Sequence, residues 1–329
     1  MINHIAIVGL GSIGRRHLRL VREFRPGIKI TVVRSGEGKA VSEEKIANET
    51  VYSLEDAIES GIQAAVIATP AVFHLDQVAK LLRAGVHVLV EKPLSDSMEG
   101  VNKLVENWKK SNVVILLGYC MRHNPAAKKF KKMIVNETNG QIQNIHVECR
   151  SYLPDWRPSQ DYRLTVSARK ELGGGVLLEL SHELDYVRWF FGEIESVIAV
   201  LKNSGTLGID VEDSADLILK SAKGQSISVH LDFNTRIARR RCVARCSDRE
   251  LTWDAVQKKV SLQRVEEPEE IESFAFNGDE IYRLQLKHFF DCMEKNKTPA
   301  VSLEDGAEVL RMVEAARESN AKGETVALK

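Results

Sequence analysis

The stretch that decides the fold reads His-Ile-Ala-Ile-Val-Gly-Leu-Gly-Ser-Ile-Gly and covers residues 4–14. Its apolar first half predicts a buried β-strand, and its second half is the pattern G-x-G-x-x-G. The amphipathic segment that follows, to about Phe24, predicts a helix. In this context the glycines let backbone N–H groups approach a pyrophosphate, and the helix N-terminus adds partial positive charge. The residues expected to hold the pyrophosphate of a dinucleotide are Gly9, Gly11, Ser12, Ile13 and Gly14.

The end of the second predicted strand, residues 28–33, bears on which dinucleotide binds. About 20 residues past the last glycine, an acidic side chain usually bonds the ribose hydroxyls of NAD, whereas an arginine accommodates the 2′-phosphate of NADP. This position holds Arg34, with Ser35 beside it. We therefore expect NAD(P) as the cofactor, with a preference for NADP. Stacking of Arg34 on an adenine is the alternative interpretation.

Strands and helices alternate through the first 120 residues, which predicts a doubly wound parallel sheet with helices on both faces. One of these strands, residues 86–90, ends in Glu91-Lys92-Pro93. Polar groups at the carboxyl end of a central parallel strand lie where such sheets bind ligands, and Pro93 restricts Lys92 to extended conformations. Lys92 is thus expected to bond a substrate oxygen and stabilise its developing charge. A solvated ion pair at a strand end is the alternative.

The second half of the chain is patterned differently. Strand follows strand from about residue 196 to residue 263, with short turns that imply antiparallel neighbours. The predicted fold class is therefore α/β plus α+β: a Rossmann domain at 1–121, then a domain at 122–329 with an open, mostly antiparallel sheet and helices on one face. Residues 152–163 form a polar, aromatic loop, which predicts either a wall around a polar ligand or a loop packed on its own rings.

A glycine-rich entry at 173–175 opens a predicted helix that runs to about Phe191. Glu179, His182 and Asp185 are spaced three apart and are expected to share one face of this helix. A histidine between two carboxylates can be held in one tautomer and carry protons near neutral pH. His182 is therefore the predicted acid–base residue, although a lone histidine on a helix is more often structural.

Charge and cysteine content narrow the class of protein. The 329 residues contain 46 basic and 46 acidic side chains, and the zero net charge argues against nucleic acid or an anionic membrane as the main partner. Five scattered cysteines without a C-x-x-C pair, and no room for a signal peptide, predict reduced thiols in a cytoplasmic protein without a bound metal. The basic cluster is expected at a solvated edge or a subunit interface; it consists of Arg236, Arg239, Arg240 and Arg241.

These motifs together resemble the Gfo/Idh/MocA family. The resemblance rests on the glycine pattern at 9–14, on Ala68-Thr69-Pro70 with His74, and on the run from Gly85 to Pro93; it continues with Arg122, Pro125 and Gly140. It implies an NAD(P)-dependent oxidoreductase, mostly of sugars and cyclitols, with Lys92 on the substrate and nicotinamide side and a cis bond before Pro93. The residues that it implies along the cofactor are Thr69, Pro70, His74, Glu91 and Lys92.

The sequence departs from the family at the acid–base motif. The family shows two glycines, an aspartate, three residues and then a histidine, whereas here Glu179 precedes His182 by only two residues. His182 matches the family acid–base residue, Glu179 less closely, and Asp185 matches a position behind the direct contacts. The family also implies dimer contacts through the sheet, hence a homodimer or homotetramer. The expected substrate-side residues are Lys92, Tyr119, Arg122, Trp156, Arg157, Tyr162 and Asp185.

The hypothesis from sequence is hydride transfer between NAD(P) and a hydroxyl or keto carbon of a sugar, cyclitol or nucleotide sugar. Lys92 bonds the reacting oxygen, and His182, assisted by Glu179, moves the proton. Two alternatives stay open. One is a non-catalytic NAD(P)-binding sensor or assembly protein. The other is a redox-neutral hydrolase or epimerase in which bound NAD is reduced and reoxidised in one cycle.

Overall fold

The computed structural model describes residues 1–37, 41–138 and 141–328. Contacts divide the chain into two units, the first comprising Met1–Cys120 and Gly278–Ala307, the second Met121–Asn277 and Glu308–Lys329. Gly140, part of the family resemblance, lies outside the described residues. In chain order the helices are α1 (Ser12–Phe24), α2 (Leu54–Glu59), α3 (His74–Arg83), α4 (Val101–Lys109), α5 (Pro125–Glu137), α6 (Val176–Glu179), α7 (His182–Phe191), α8 (Glu280–Lys295) and α9 (Leu303–Lys322).

The first unit is built on a parallel sheet. Its strands are β1 (His4–Val8), β2 (Lys29–Val33), β3 (Glu49–Val51), β4 (Ala64–Ile67), β5 (His87–Val90) and β6 (Ile115–Leu117). Their spatial order is β3-β2-β1-β4-β5-β6, and the neighbouring strands run parallel. Strands β1 and β4 are wholly buried because helices cover both faces. The order reverses at β1 and β4, which is the switch point where such sheets bind dinucleotides, so the predicted Rossmann sheet is confirmed.

The segment 278–307 groups with this sheet, whereas the predicted domains assigned it to the second half. Helix α8 lies along α1 through two ion pairs and a ring contact. Arg25 Nη2 is 2.6 Å from Glu294 Oε2, Arg283 Nη2 is 2.9 Å from Glu23 Oε2, and the rings of Phe24 and Phe290 are 5.5 Å apart. Such contacts between distant parts of the chain leave no periodic signal in the sequence.

The second unit is built on an open sheet. Its strands are β7 (Asn144–Arg150), β8 (Ile194–Lys202), β9 (Ser214–Ser221), β10 (Ser226–Asp232), β11 (Arg239–Arg245), β12 (Arg249–Asp254), β13 (Lys259–Arg264), β14 (Glu270–Ser273) and β15 (Val326–Ala327). Their order is β14-β13-β12-β11-β7-β10-β9-β8-β15, antiparallel except between β7 and β10. Helix α5 covers one face, where Phe130 meets Trp253, and the predicted fold class is confirmed.

Local features of the chain mark where some of these elements begin. Ser53 caps α2, because its hydroxyl accepts the Asp56 N–H at 3.0 Å, as its position before an acidic first turn indicates. Helix α4 begins after Gly100, which has a φ of 75°. The end of the acidic run 266–272 belongs to β14, which pairs with β13.

The face of the sheet opposite the helices carries His230 between two carboxylates. Its Nε2 lies 3.1 Å from Asp232 and its Nδ1 lies 2.7 Å from Asp216 on the adjacent strand. The hydrogen bond to Asp232, with further help from Asp216, raises the pKa of His230 to about 9. The imidazolium is therefore favoured in the folded state.

We predict a stability change linked to this group. Because the folded pKa of about 9 exceeds the unfolded value of 6.5, the contribution of His230 is complete below pH 6.5 and is lost as pH rises through 9. Urea unfolding of the wild type should therefore show a falling free energy of unfolding between these limits, and His230→Asn should flatten that fall. His146→Asn is the control, because Nδ1 of His146 lies 2.9 Å from the uncharged Ser228 hydroxyl. An identical slope in wild type and His230→Asn would contradict the prediction.

Candidate active site

The glycine-rich turn is shaped by two close backbone approaches. Gly9 has a φ of +89°, and a Cβ on Gly14 would lie only 2.0 Å from the Gly9 carbonyl oxygen. A Cβ on Gly11, by contrast, would meet nothing within 4 Å, so the space in front of it is open. Helix α1 begins directly after Gly11, which offers no side-chain cap. Its first N–H groups can therefore bond an anion, and these features fit the pyrophosphate of a dinucleotide.

The adjoining end of β2 carries a cluster of charges. Arg34 Nη1 lies 2.5 Å from Glu44 Oε1, and the Arg34 side chain is only 14% exposed. Glu43 carries a second carboxylate, 3.8 Å from Arg15 and 3.6 Å from Arg19 on α1. Ser35 accepts a hydrogen bond from the Glu37 N–H. Three guanidinium groups thus face two carboxylates where a Rossmann sheet receives the adenosine half of its ligand.

His74 ties the turn after β4 to the turn after β5. It is buried, with Nε2 at 2.8 Å from the Thr69 carbonyl oxygen and Nδ1 at 2.8 Å from the Pro93 carbonyl oxygen. Burial lowers the pKa of His74, and the two carbonyl contacts oppose this shift. Thr69 donates its hydroxyl proton to Gln77 Oε1 at 2.7 Å. His74 therefore shapes the cofactor turns, and its predicted direct contact with the cofactor remains a prediction.

Lys92 follows β5 at the carboxyl edge of the sheet, and β4 lies between β5 and the strand that leads into Gly9. The Lys92–Pro93 bond is cis, as the family resemblance implied. Glu91 is 7% exposed, its N–H donates to the Ile67 carbonyl of β4, and its Oε1 lies 2.6 Å from Nε2 of His17. Nothing in the local pattern of α1 signals a partner 74 residues away.

The predicted single helix over 173–191 is wrong, because it breaks between α6 and α7. Leu180 leaves helical geometry at φ −99° and ψ 26°, and the Ser181 hydroxyl donates to the Leu178 carbonyl at 2.8 Å. This local bond competes with the helical pattern. Glu179 therefore ends α6 while His182 begins α7, so the three-residue spacing does not place them on one continuous helical face.

Two buried ion pairs fix α7 within the second unit. Arg122 Nη2 lies 2.7 Å from Asp185 Oδ1, and its Nε contacts both carboxylate oxygens at 3.0–3.1 Å. Glu183 is fully buried, and its two oxygens lie 2.6 and 3.0 Å from Nε and Nη2 of Arg240 on β11. The helix that carries His182 is thus anchored on both sides by bidentate pairs, the strongest of such contacts.

The Glu183–Arg240 pair removes Arg240 from the basic cluster expected at a solvated edge or a subunit interface, whereas Arg236 and Arg239 are exposed. Arg240 reaches the helix-covered side of the sheet, whereas Arg241, its neighbour on the strand, bonds Asp254 at 2.7 Å. Alternation along β11 sends the two side chains to opposite faces. The sequence contained this alternation, but a run of arginines conceals which face is buried.

The aromatic segment is packed on its own unit. Trp156 donates to the Ser151 hydroxyl at 2.9 Å and meets Phe233 edge-on, and the Tyr162 hydroxyl donates to the Leu207 carbonyl at 2.8 Å. Two short 3₁₀ turns, Leu153–Trp156 and Tyr162–Leu164, lie in or at the end of this segment. Arg157 is half-buried and Tyr119 fully buried. Substrate contact by these side chains remains a prediction.

Within residues 1–37, 41–138 and 141–328, none of the helices combines the length and the hydrophobicity of a membrane-spanning segment. Nor do these ranges hold a group of three or more His, Cys, Asp and Glu side chains arranged to bind a metal ion. The expectation of a metal-free protein stays a prediction.

Comparison with known families agrees with the sheet order and the glycine turn. Residues 3–119 match the Gfo/Idh/MocA family, described as an oxidoreductase family with an NAD-binding Rossmann fold, and residues 127–252 match its C-terminal domain. The chain belongs to the Gfo/Idh/MocA family of oxidoreductases. The parallel sheet of its first unit is accordingly an NAD(P)-binding Rossmann sheet.

Individual relatives span nearly the whole chain. Myo-inositol 2-dehydrogenase of Thermotoga maritima is 26% identical over 96% of this chain and 95% of its own. 1,5-Anhydro-D-fructose reductase of Ensifer adhaerens is 24% identical over 93% and 92%. Among solved structures, a levoglucosan dehydrogenase in complex with NADH superposes with a TM-score of 0.88 at 19% identity, covering 99% of both chains. At 19% identity this structural similarity supports the fold alone.

Proposed function

We propose that the protein transfers a hydride between NAD(P) and a hydroxyl or keto carbon of a sugar or cyclitol. The single observation that carries the proposal is the placement of Lys92 at the carboxyl edge of the Rossmann sheet, one strand from the switch point at β1 and β4. An amine there can reach a substrate beside a dinucleotide laid over the glycine turn. The names of the full-length relatives support the substrate class.

The proposed chemistry balances as the conversion of CH–OH and NAD(P)⁺ into C=O, NAD(P)H and a proton. The nicotinamide, when bound, accepts the hydride or supplies it in the reverse direction. Lys92 bonds the reacting oxygen and stabilises its negative charge. His182, at the first residue of α7, accepts the hydroxyl proton. We assign Glu179 a supporting role, since α6 ends there and the two residues belong to separate helices.

A substrate panel tests the proposal. The whole chain is titrated with NADH and NADPH by fluorescence, and nicotinamide absorbance is then followed with myo-inositol, 1,5-anhydro-D-fructose, levoglucosan and further sugars. Turnover of at least one polyol or ketose, with either cofactor, is the expected result. Cofactor binding without turnover over the whole panel would overturn it in favour of the sensor alternative.

The redox-neutral alternative has one observation in its favour. A protein of Mediterraneibacter gnavus named 2,7-anhydro-N-acetylneuraminate hydratase is 30% identical, although it aligns with 57% of this chain and 49% of its own length. Hydration changes no net oxidation state. Substrate consumption followed by NMR, without accumulation of NADH, would select this reaction over net dehydrogenation.

For the cofactor we propose NADP over NAD. Arg34 at the end of β2 supports this, because an arginine there can bond a 2′-phosphate. Glu44 already pairs with Arg34. Together with Arg15 and Arg19, however, the described cluster holds three guanidinium groups against two carboxylates. An added phosphate dianion would find this excess favourable.

The Arg34→Ala change separates the two cofactors. Loss of a charge-assisted bond to the phosphate should raise the Kd of NADPH about 10- to 100-fold and leave that of NADH nearly unchanged. Arg25→Ala, which breaks a comparable half-buried pair with Glu294, is the matched control. Tighter binding of NADH than of NADPH by the wild type would contradict the preference for NADP.

We further propose a homodimer or homotetramer formed through the open face of the sheet. Ile198 and Ile218 are directly paired on β8 and β9 and are 40% and 49% exposed, with Val200 beside them at 49%. Adjacent exposed apolar side chains on a flat sheet are typical of association surfaces. The same face carries His230 and its two carboxylates, which could form the polar rim.

A charge at the centre of this patch tests the association. Ile218→Lys should shift the mass measured by light scattering from oligomer to monomer, because a lysine cannot be buried there without a partner. Val256→Lys changes a similarly exposed side chain, 52% accessible, in the turn after β12 and should leave the mass unchanged. A monomeric wild type would refute the proposed assembly.

We also propose a cytoplasmic location. The five cysteines are free thiols in the structure, and four of them are buried. Burial raises the pKa of Cys149 and of Cys242, which keeps them protonated. Such thiols fit a reducing compartment.

A further inference from the structure

The first unit contains a buried pair that the proposed reaction does not use. His17 on α1 is fully buried, and Glu91 exposes 9% of its side chain. Their Nε2 and Oε1 atoms are 2.6 Å apart, the short distance of a hydrogen bond to a charged acceptor. Glu91 immediately precedes Lys92, so the pair lies one residue from the proposed catalytic amine.

The other side of the Glu91 carboxylate faces the backbone of Lys92. Its Oε2 accepts the Lys92 N–H at 3.4 Å, a long bond. Gly118 closes the remaining space, because a Cβ there would lie 2.8 Å from both Cα and Oε2 of Glu91. The carboxylate therefore has little room to move, and its orientation depends on the imidazole at its free end.

His17 is held in turn by the C-terminal segment of this unit. The Tyr282 ring meets the His17 ring edge-on, with 6.0 Å between centroids, and Arg16 lies 4.7 Å from the Tyr282 centroid. Arg16 also bonds Asp279 at 3.0 Å. The ring contact and the bond to Glu91 together restrain the imidazole.

We propose that His17 is a positioning residue that aims Lys92 by holding the Glu91 carboxylate. His17 lies three residues after Gly14, on the helix whose N-terminus forms the anion site, so one helix sets both the pyrophosphate turn and the lysine turn. A buried ionisable pair by itself is weak evidence for stability, since apolar side chains of equal volume pack as well. The hydrogen bond of the pair fixes the orientation of the Glu91 carboxylate, which an apolar contact would not do.

The inference rests on the proposed role of Lys92, but its primary test needs no substrate. Lysine amines of the whole protein are reductively methylated with ¹³C-formaldehyde, and the Lys92 NMR signal is assigned by its loss in Lys92→Arg. His17→Leu should shift this signal, whereas His17→Gln, whose amide can still donate to Glu91, should restore it. His4→Leu, which breaks a buried bond to Thr31 on the same sheet, should leave it unchanged.

Kinetics give the second readout. His17→Leu is expected to lower kcat about 100-fold, the effect of a misplacement near 1 Å, with little change in the Kd of NAD(P)H and recovery in His17→Gln. If His17→Leu does not fold, Glu91→Gln, which weakens the same bond from its other end, should move the Lys92 signal. The effects of Glu91→Gln and His17→Gln should also be less than additive, because both act through one contact.

The outcomes separate this inference from the proposed function. An unmoved Lys92 signal in both His17→Leu and Glu91→Gln overturns the positioning role, whatever the turnover. A moved signal together with undiminished turnover in Lys92→Ala supports the positioning role while refuting catalysis by Lys92. Equal losses of kcat in His17→Leu and His4→Leu would reduce His17 to a packing residue and overturn the inference.

Discussion

Lys92→Ala should lower kcat about 10²- to 10⁴-fold while NAD(P)H still binds, and His182→Ala should do the same. The amine stabilises charge on the reacting oxygen and the imidazole carries the proton, and contributions of this kind fall in that range. Both changes act on the transition state more than on the ground state, so kcat should fall without a matching loss of cofactor affinity. Stopped-flow nicotinamide absorbance and fluorescence titration measure the two quantities.

Matched controls come from each unit. Lys103→Ala removes an exposed lysine from α4, and His146→Ala removes a histidine from β7, and neither should change kcat more than twofold. Loss of both activity and cofactor binding in Lys92→Ala would indicate damage to the fold. Wild-type turnover in both Lys92→Ala and His182→Ala would refute the assignment of catalysis to these two residues.

The second large effect is on stability. Glu183→Ala leaves the Arg240 guanidinium without the carboxylate that it bonds through two atoms, in a place where Glu183 itself is fully buried. An uncompensated charge of this kind destabilises a protein by about 3–5 kcal/mol. Urea unfolding followed by circular dichroism should report a loss of this size in the free energy of unfolding.

The same sheet offers a control at its surface. Glu250 bonds Arg245 at 2.6 Å, but both side chains are 42% exposed, and exposed pairs are worth about 0–1 kcal/mol. Glu250→Ala should therefore change stability little. The double change Glu183→Ala with Arg240→Met should recover much of the loss, since it removes the buried charge. Equal losses in the free energy of unfolding for Glu183→Ala and Glu250→Ala would contradict the predicted cost of leaving Arg240 unpaired.

Local sequence patterns predicted the elements that depend on neighbouring residues. Apolar runs placed β1 and β5, and the glycine pattern placed the turn before α1. Each of these rests on backbone geometry or on burial that a few adjacent residues determine. The family resemblance added the cis bond before Pro93, which the spacing of residues alone does not indicate.

The candidate site was predicted less completely, because the residues that hold it in place are distant from it in the sequence. The predicted helix over 173–191 failed at Leu180 and Ser181, where a side-chain hydrogen bond ends α6 and changes the direction of the chain. The basic run on β11 predicted a solvated edge or a subunit interface, whereas Arg240 forms an ion pair with the buried Glu183. In both cases the periodicity of the sequence was compatible with more than one backbone path.

By itself the sequence determined that the chain begins with a Rossmann sheet, that a glycine turn at 9–14 can receive a dinucleotide, and that Lys92 follows a buried strand. The tertiary structure alone decided which charges meet: His17 with Glu91 across 74 positions, Arg122 with Asp185 across 63, and Glu183 with Arg240 across 57. Strand and turn signals are local because backbone conformation is local. Ion pairs between distant residues leave no local pattern in the sequence. Their electrostatic attraction becomes strong only when folding brings the partners together and removes them from water.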